Sequence, residues 1–250
     1  TLSKDGDGFF TGIVTATSYY GDGSNLSNIT STTINSNADN RLITGSGTAN
    51  TLNGESNLTF DGSTLTVTGA ASVSSDATIN GVTVGKGANS VASNTVLGSG
   101  ALDAAVTGTH NVIVGKDAGT EITSGSSNAI LGSEAGDNIT TGSSNVAVGS
   151  EAYDAGTTGS NNTAVGTMAL QTSTSVSNQT AIGYQALRYS TTGTENVAVG
   201  YQSLLDNTTG DRNTALGTFA LENNTTGDDN TALGRNTLGS NTEGIQNVAV

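Results

Sequence analysis

From residue 91 onward, short apolar triplets recur at a fixed interval, each opened by Asn and closed by Gly: Asn94-Thr95-Val96-Leu97-Gly98, Asn111-Val112-Ile113-Val114-Gly115, Asn128-Ala129-Ile130-Leu131-Gly132. The interval is 17 residues and continues without insertion through Asn145, Asn162, Gln179, Asn196, Asn213, Asn230 and Asn247. Counting from the Asn as position 1, position 4 is always aliphatic and position 5 is Gly in every copy that reaches it. Position 8 is small, position 9 is often Leu (Leu170, Leu187, Leu204, Leu221), and a second glycine column at position 15 is broken only by Val176. These segments are too short for helices and are bounded by turn residues, so each unit predicts one or two short strands joined by turns.

One such unit buries only a few side chains, whereas stacked units share a core and hydrogen-bond strand to strand. The expected fold class is therefore all-β: a repetitive β-solenoid or β-roll with 17-residue rungs over 91–250, ten rungs making a rod roughly 45 Å long at a spacing of about 4.8 Å. The recurring Asn is expected to ladder along the stack through its amide. Positions 3 and 4 point to opposite sides of a strand and both are apolar, as in Ala147-Val148 and Ala198-Val199. One side should meet the rung core and the other a second chain, with the alanines admitting close approach. A homotrimeric elongated fibre is the expected assembly, a dimer the alternative. The final motif stops at Val250, before its Gly, so the repeat is expected to continue beyond 250.

Upstream, residues 41–90 read as a β-rich connector, with Leu58 to Phe60 and Thr64 to Thr68 as strands around the hairpin turn Asp61-Gly62-Ser63. Residues 1–40 read as an N-terminal joint with one strand-like run, Gly12 to Tyr20.

Composition narrows the function classes. The net charge of −14 disfavours nucleic acid and anionic membranes as partners. No apolar run is long enough to span a bilayer, so no membrane insertion is expected. The absence of Cys removes disulfides and thiolate metal sites. Asp5-Gly6-Asp7-Gly8 opens like a calcium loop but lacks its later acids and reads as a polar turn. Asp117, Glu134 and Glu151 share position 7 in successive rungs, a column of carboxylates that a hard cation could bridge. Hydration and screening argue for a tolerated surface column instead. Their axial spacing resembles that of paired glycosidase carboxylates, but a regular stack supplies neither pocket nor raised pKa, and His110 stands without a nucleophile motif. No catalytic, cofactor-binding or metal-ligating residue is assigned, no cofactor is expected, and the chain is expected not to be an enzyme. Tyr184 and Tyr201 share a column near Tyr189 and Phe219, which makes host surface glycans a candidate partner. The Thr-Thr pairs at positions 13 and 14 raise an ice-binding array, disfavoured because adjacent threonines split across a strand.

Units such as Asn213-Thr214-Ala215-Leu216-Gly217-Thr218-Phe219-Ala220-Leu221 followed by Asn224-Thr225-Thr226-Gly227 resemble the repeats of bacteriophage tail-fibre and tail-spike proteins. Two upstream stretches, Gly12 to Tyr19 with Gly21-Asp22-Gly23-Ser24 and Leu58 to Gly69, are similar to marine-phage fibre sequence. The pattern Asn-x-Ala-Val-Gly also resembles the head repeats of trimeric autotransporter adhesins, whose repeats are usually shorter. The resemblance implies the structural shaft of a virion tail fibre, joining adjoining fibre or virion proteins to a distal receptor-binding tip. The alternative it implies is the head or stalk of a bacterial trimeric adhesin at the cell surface.

Overall fold

The computed structural model describes residues 41–45, 52–60, 63–71, 73 and 75–250. The calcium-like turn at Asp5 to Gly8, the run Gly12 to Tyr20 and the Asp61-Gly62 pair lie outside them. The chain divides into two units, Thr1–Ala71 and Ser72–Val250. In the first, β1 (Arg41–Gly45), β2 (Leu52–Phe60) and β3 (Leu65–Val67) form an antiparallel sheet in that order. β2 meets β3 through Phe60↔Leu65, Thr59↔Thr66 and Leu58↔Val67, the hairpin pairing expected on either side of residues 61–63.

The second unit is a β-solenoid. It begins with a hairpin, β4 (Ala77–Ile79) and β5 (Val82–Gly85), turning through Asn80 and Gly81 at φ 50° and 81°. Asn-Gly suits this turn because both central residues need positive φ to match the strand twist. β5 pairs antiparallel with β6 (Thr95–Gly98), the strand of the first rung. Every later rung adds one strand in parallel: β7 (Val112–Val114), β8 (Ala129–Leu131), β9 (Val146–Val148), β10 (Thr163–Val165), β11 (Thr180–Ile182), β12 (Val197–Val199), β13 (Thr214–Leu216), β14 (Thr231–Leu233) and β15 (Val248–Ala249). Equivalent positions stay in register, as in Thr163↔Thr180, Ala164↔Ala181 and Val165↔Ile182. There is one strand per rung rather than two, yet the remaining corners are also bonded rung to rung, as in Leu170 N–H to Ala186 O at 3.0 Å and Thr208 N–H to Thr225 O at 3.0 Å.

Three corner positions recur in the left-handed region, and in most rungs they hold non-glycine residues. Position 7 runs from Asp117 (φ 51°) to Asn236 (62°), position 9 includes Leu170 (55°) and Leu204 (49°), and position 17 includes His110 (62°) and Arg212 (54°). Each such residue carries a local cost that the stacking must offset. The position 5 glycines, from Gly115 to Gly234, take φ between 124° and 152°. From Gly115 to Gly217, a Cβ there would collide with the carbonyl of the matching glycine in the next rung.

The interior is a narrow column filled from positions 3, 8, 9 and 12, and its volume is conserved by exchange between positions. Two rungs place Ile113 and Ile130 at position 3, Ile122 and Ile139 at position 12, and Gly119 and Gly136 at position 9. The side chains Ile122 and Ile139 occupy the space that a Cβ on those glycines would need. Later rungs invert the choice: Ala164, Ala181, Ala198 and Ala215 at position 3 face Leu170, Leu187, Leu204 and Leu221 at position 9, all fully buried. Between the two kinds, the buried ring of Tyr153 fills the place left by Ala147 and by Gly156 at position 12. Close packing at near-crystalline density requires this kind of compensation.

Candidate interaction surface

Polar columns hold the rungs together and decide which faces remain available. From Asn94 to Asn230 the position 1 asparagines are buried, and each uses both ends of its amide. Asn111 Nδ2 donates to Gly125 O in its own rung at 2.9 Å, while its Oδ1 accepts the Asn128 N–H at 3.0 Å. In several rungs Nδ2 also reaches the preceding Oδ1, as between Asn230 and Asn213 at 3.0 Å. The expected Asn ladder is therefore present, and it bonds the backbone as well as its own side chains. Gln179 preserves the pattern: Nε2 donates to Gly193 O, and Oε1 accepts the Asn196 N–H at 3.1 Å.

A second amide column appears at position 12 in the last rungs. Asn207 and Asn224 donate to Gly210 O and Gly227 O at 2.9 Å each, and Asn224 also donates to Asn207 Oδ1 at 2.8 Å. Each of these glycine carbonyls is thus clamped by two amides, since Asn196 and Asn213 reach the same atoms at 2.7 Å. At position 13 the threonine hydroxyls donate along the stack, from Thr140 to Thr157 O at 3.1 Å and from Thr208 to Thr225 O at 2.9 Å. The first member of each Thr pair therefore works inside the scaffold, which removes it from any ice-facing array. At position 16 a backbone N–H donates to the next rung's side chain, Ser143 to Ser160 Oγ at 3.0 Å and Asp211 to Asp228 Oδ1 at 2.8 Å.

The strand face is what these columns leave open. Position 3 points inward and is buried in each rung from Val96 to Ala232, whereas positions 2 and 4 point outward. The alanines at position 3 therefore meet the core leucines, not a neighbouring chain. The outward apolar residues remain exposed: Leu97, Val112, Leu131, Ile182, Val197, Leu216 and Leu233 keep between 36% and 50% of their surface. Neither position 2 nor position 4 carries a charge in any of the ten rungs.

The acidic column lies elsewhere. Asp117, Glu134 and Glu151 sit at the left-handed position 7 corner. Lys116 pairs with Asp117, which raises the Lys116 pKa, with Glu134 and Asp137 adding to the shift. Glu151 Oε2 accepts from Gln171 Nε2 at 2.5 Å, and Gln171 Oε1 accepts from Arg188 Nε at 2.8 Å. Burial lifts the neighbouring Asp154 carboxyl above the usual Asp range, the Asp137 charge adds to this, and a 3.2 Å hydrogen bond from Asn138 opposes it. Among the described residues, no group of three or more His, Cys, Asp or Glu side chains is arranged to hold a metal ion. His110 is exposed, its Nδ1 beside Thr109 Oγ1 at 3.0 Å.

Tyr184 and Tyr201 are brought together as the column predicts, stacked at 5.3 Å and 18°, with Phe219 edge-on to Tyr201 at 5.3 Å and 84°. The tyrosines thus spend a ring face on each other. Tyr189 lies under Arg188 instead, 5.0 Å from its guanidinium carbon. A recess of about 330 Å³ lies between the β4–β5 hairpin and the first rung, lined by residues including Asp76, Thr83, Asn89, Leu102 and Asp103.

The class defined by these observations is a single-sheet β-solenoid of 17-residue rungs. Compared with known families, curated proteins and solved structures, the chain finds no match.

Proposed function

We propose that the chain is the structural shaft of a viral tail fibre, carried on the virion and linking it to a distal receptor-binding tip, and that it assembles as a homotrimer along the strand face. The observation that carries this reading is the outward stripe of positions 2 and 4: charge-free over ten rungs, roughly 45 Å long, aliphatic at every position 4 and Val, Ala or Thr at position 2, on a chain of net charge −14. A monomer rarely leaves a contiguous apolar patch beyond a few hundred Å² uncovered. Self-association along this stripe keeps the acidic corners in solvent and buries the aliphatic side chains. The work is mechanical: bonded rungs transmit load along the axis, and lateral packing stiffens the rod. Adjoining fibre or virion proteins are the further partners of this reading. A bacterial trimeric surface adhesin would use the same stripe, and the residues resembling phage fibres favour the viral reading.

The test is the mass and shape of the purified protein by light scattering and electron microscopy, beside Leu131→Asp and Leu216→Asp. Both variants should lower the mass from trimer to monomer while leaving the rungs folded, because these side chains are half-exposed. Ala147→Asp, aimed at the core, should instead unfold its rung. A compact monomeric wild type would overturn the proposal.

A further inference from the structure

We infer that the β4–β5 hairpin is an autoinhibitory contact: it holds shut the outer edge of β6, a self-association surface for a second copy of this chain. In a parallel solenoid the edge of the first rung offers the same backbone donors and acceptors that every rung offers its neighbour, and an uncovered edge templates pairing. Here the hairpin occupies it through Thr83↔Gly98, Val84↔Leu97 and Gly85↔Val96. Because this pairing is antiparallel, the 17-residue register ends there, and β4 presents only three residues as the new edge.

The cover is latched at specific points. The Asp76 carboxylate accepts the N–H groups of Lys86 and Gly87, each at 2.7 Å, and occupies the space a Cβ on Gly85 would need. The following turn closes the end of the core: Ala88 N–H donates to Leu102 O at 3.1 Å and Asn89 Nδ2 to Val106 O at 3.0 Å. Apolar burial adds little, for Ile79 is 63% exposed and Val84 40%, while the inward residues of the rungs are fully buried. The hairpin is therefore the weakly held element of this unit. The occupant it excludes is a rung of the same kind. Asn94 donates its N–H to Val91 O at 3.0 Å, where in later rungs the Asn N–H meets the Oδ1 of a neighbouring rung. Releasing residues 76–91 frees that donor for the Asn ladder of another copy.

The experiment compares the wild-type chain with the full-length Asp76→Ala/Thr83→Pro double variant, which removes the latch and a strand N–H. Tryptic cleavage after Lys86 reports hairpin release, amide exchange over residues 111–247 reports intact rungs, and light scattering with electron microscopy reports association. With the hairpin released and the rungs intact, the expected result is an apparent mass at least doubled as concentration rises, with rods lengthened along the axis. Faster cleavage at Lys86 with mass and rod length unchanged would overturn the inference. Rod length tests this contact, whereas lateral stoichiometry tests the shaft, so the two readings fail separately.

Discussion

Ser190 is the one break in the interior polar column whose repair the neighbouring rungs specify. Its hydroxyl is fully buried and has no hydrogen-bond partner. One rung later, the same position holds Asn207, which clamps Gly210 O at 2.9 Å alongside Asn196. The two rungs have the same inward residues at positions 3 and 9, Ala181 with Leu187 and Ala198 with Leu204. Gly193 O receives Gln179 Nε2, and a carbonyl has room for a second donor. Ser190→Asn should therefore add a bond to Gly193 O and present an oxygen to Asn207 Nδ2. Removing an unsatisfied buried group recovers about 1–3 kcal/mol and each new bond adds roughly 1, while ordering a longer side chain costs about 1. The net expectation is about 2–4 kcal/mol of stabilisation, or roughly thirtyfold or more slower amide exchange in the rungs containing Leu187 and Leu204. Exchange is the right assay because repeat arrays open locally and a global midpoint averages over rungs. Ser190→Ala serves as control, since deleting the hydroxyl removes the unsatisfied group without making a bond. Asn no better than Ala would refute the clamp argument, and faster exchange in Asn would show that the space is not there.

Three further substitutions probe other parts of the scaffold. Tyr153→Phe removes the hydroxyl that accepts from Asn162 Nδ2 at 2.9 Å and should cost about 1 kcal/mol, since Asn162 keeps its 2.8 Å bond to Val176 O; urea denaturation checks this. Burial pushes the Tyr153 pKa up to about 12, so the cost should be constant from neutral to mildly alkaline pH. Gly183→Ala places a Cβ against Gly200 O at φ 135° and should cost about 3 kcal/mol or more, seen as loss of exchange protection in the adjoining rungs. Asp154→Asn tests the raised carboxyl: a folded pKa above the unfolded one destabilises the ionised native state, fully so above the folded pKa and not at all below the ordinary Asp value. The variant should raise Tm near neutral pH and lose that advantage near about pH 3, and a gain independent of pH would refute the electrostatic cause.

The solenoid and its register were legible because stacking repeats one steric demand at a fixed spacing. The position 5 glycines and the Asn column are that demand written out. The hairpin closing the stack was signalled by Asn80-Gly81, a two-residue turn pair flanked by Ile79 and Val82. The left-handed corners were hidden because Leu, Gln and Arg occupy many of them; Gly100, Gly119 and Gly136 at positions 7 and 9, and Asn161, Asn178 and Asn236, were the hints. These corners persist against local preference because the backbone bonds to both neighbouring rungs leave no alternative path.

The direction of the alanines could not be settled within one rung. Apolar residues at positions 3 and 4 put an apolar side chain on both sides of the strand, but do not say which side is the interior. Comparison between rungs does settle it, because only an enclosed space forces exchange: Ile113 goes with Gly119 and Ile122, Ala147 with Tyr153 and Gly156, Ala198 with Leu204 and Asn207. Position 4 moves among Val, Leu and Ile with no compensating partner in its rung, as expected of a side chain whose neighbours lie outside the rung. Coupled variation thus marks the core, and uncoupled aliphatic variation marks the outward face. The interior is built in three ways along one stack without altering that face, which is why, on the proposed shaft reading, changing core composition leaves one continuous stripe for lateral packing.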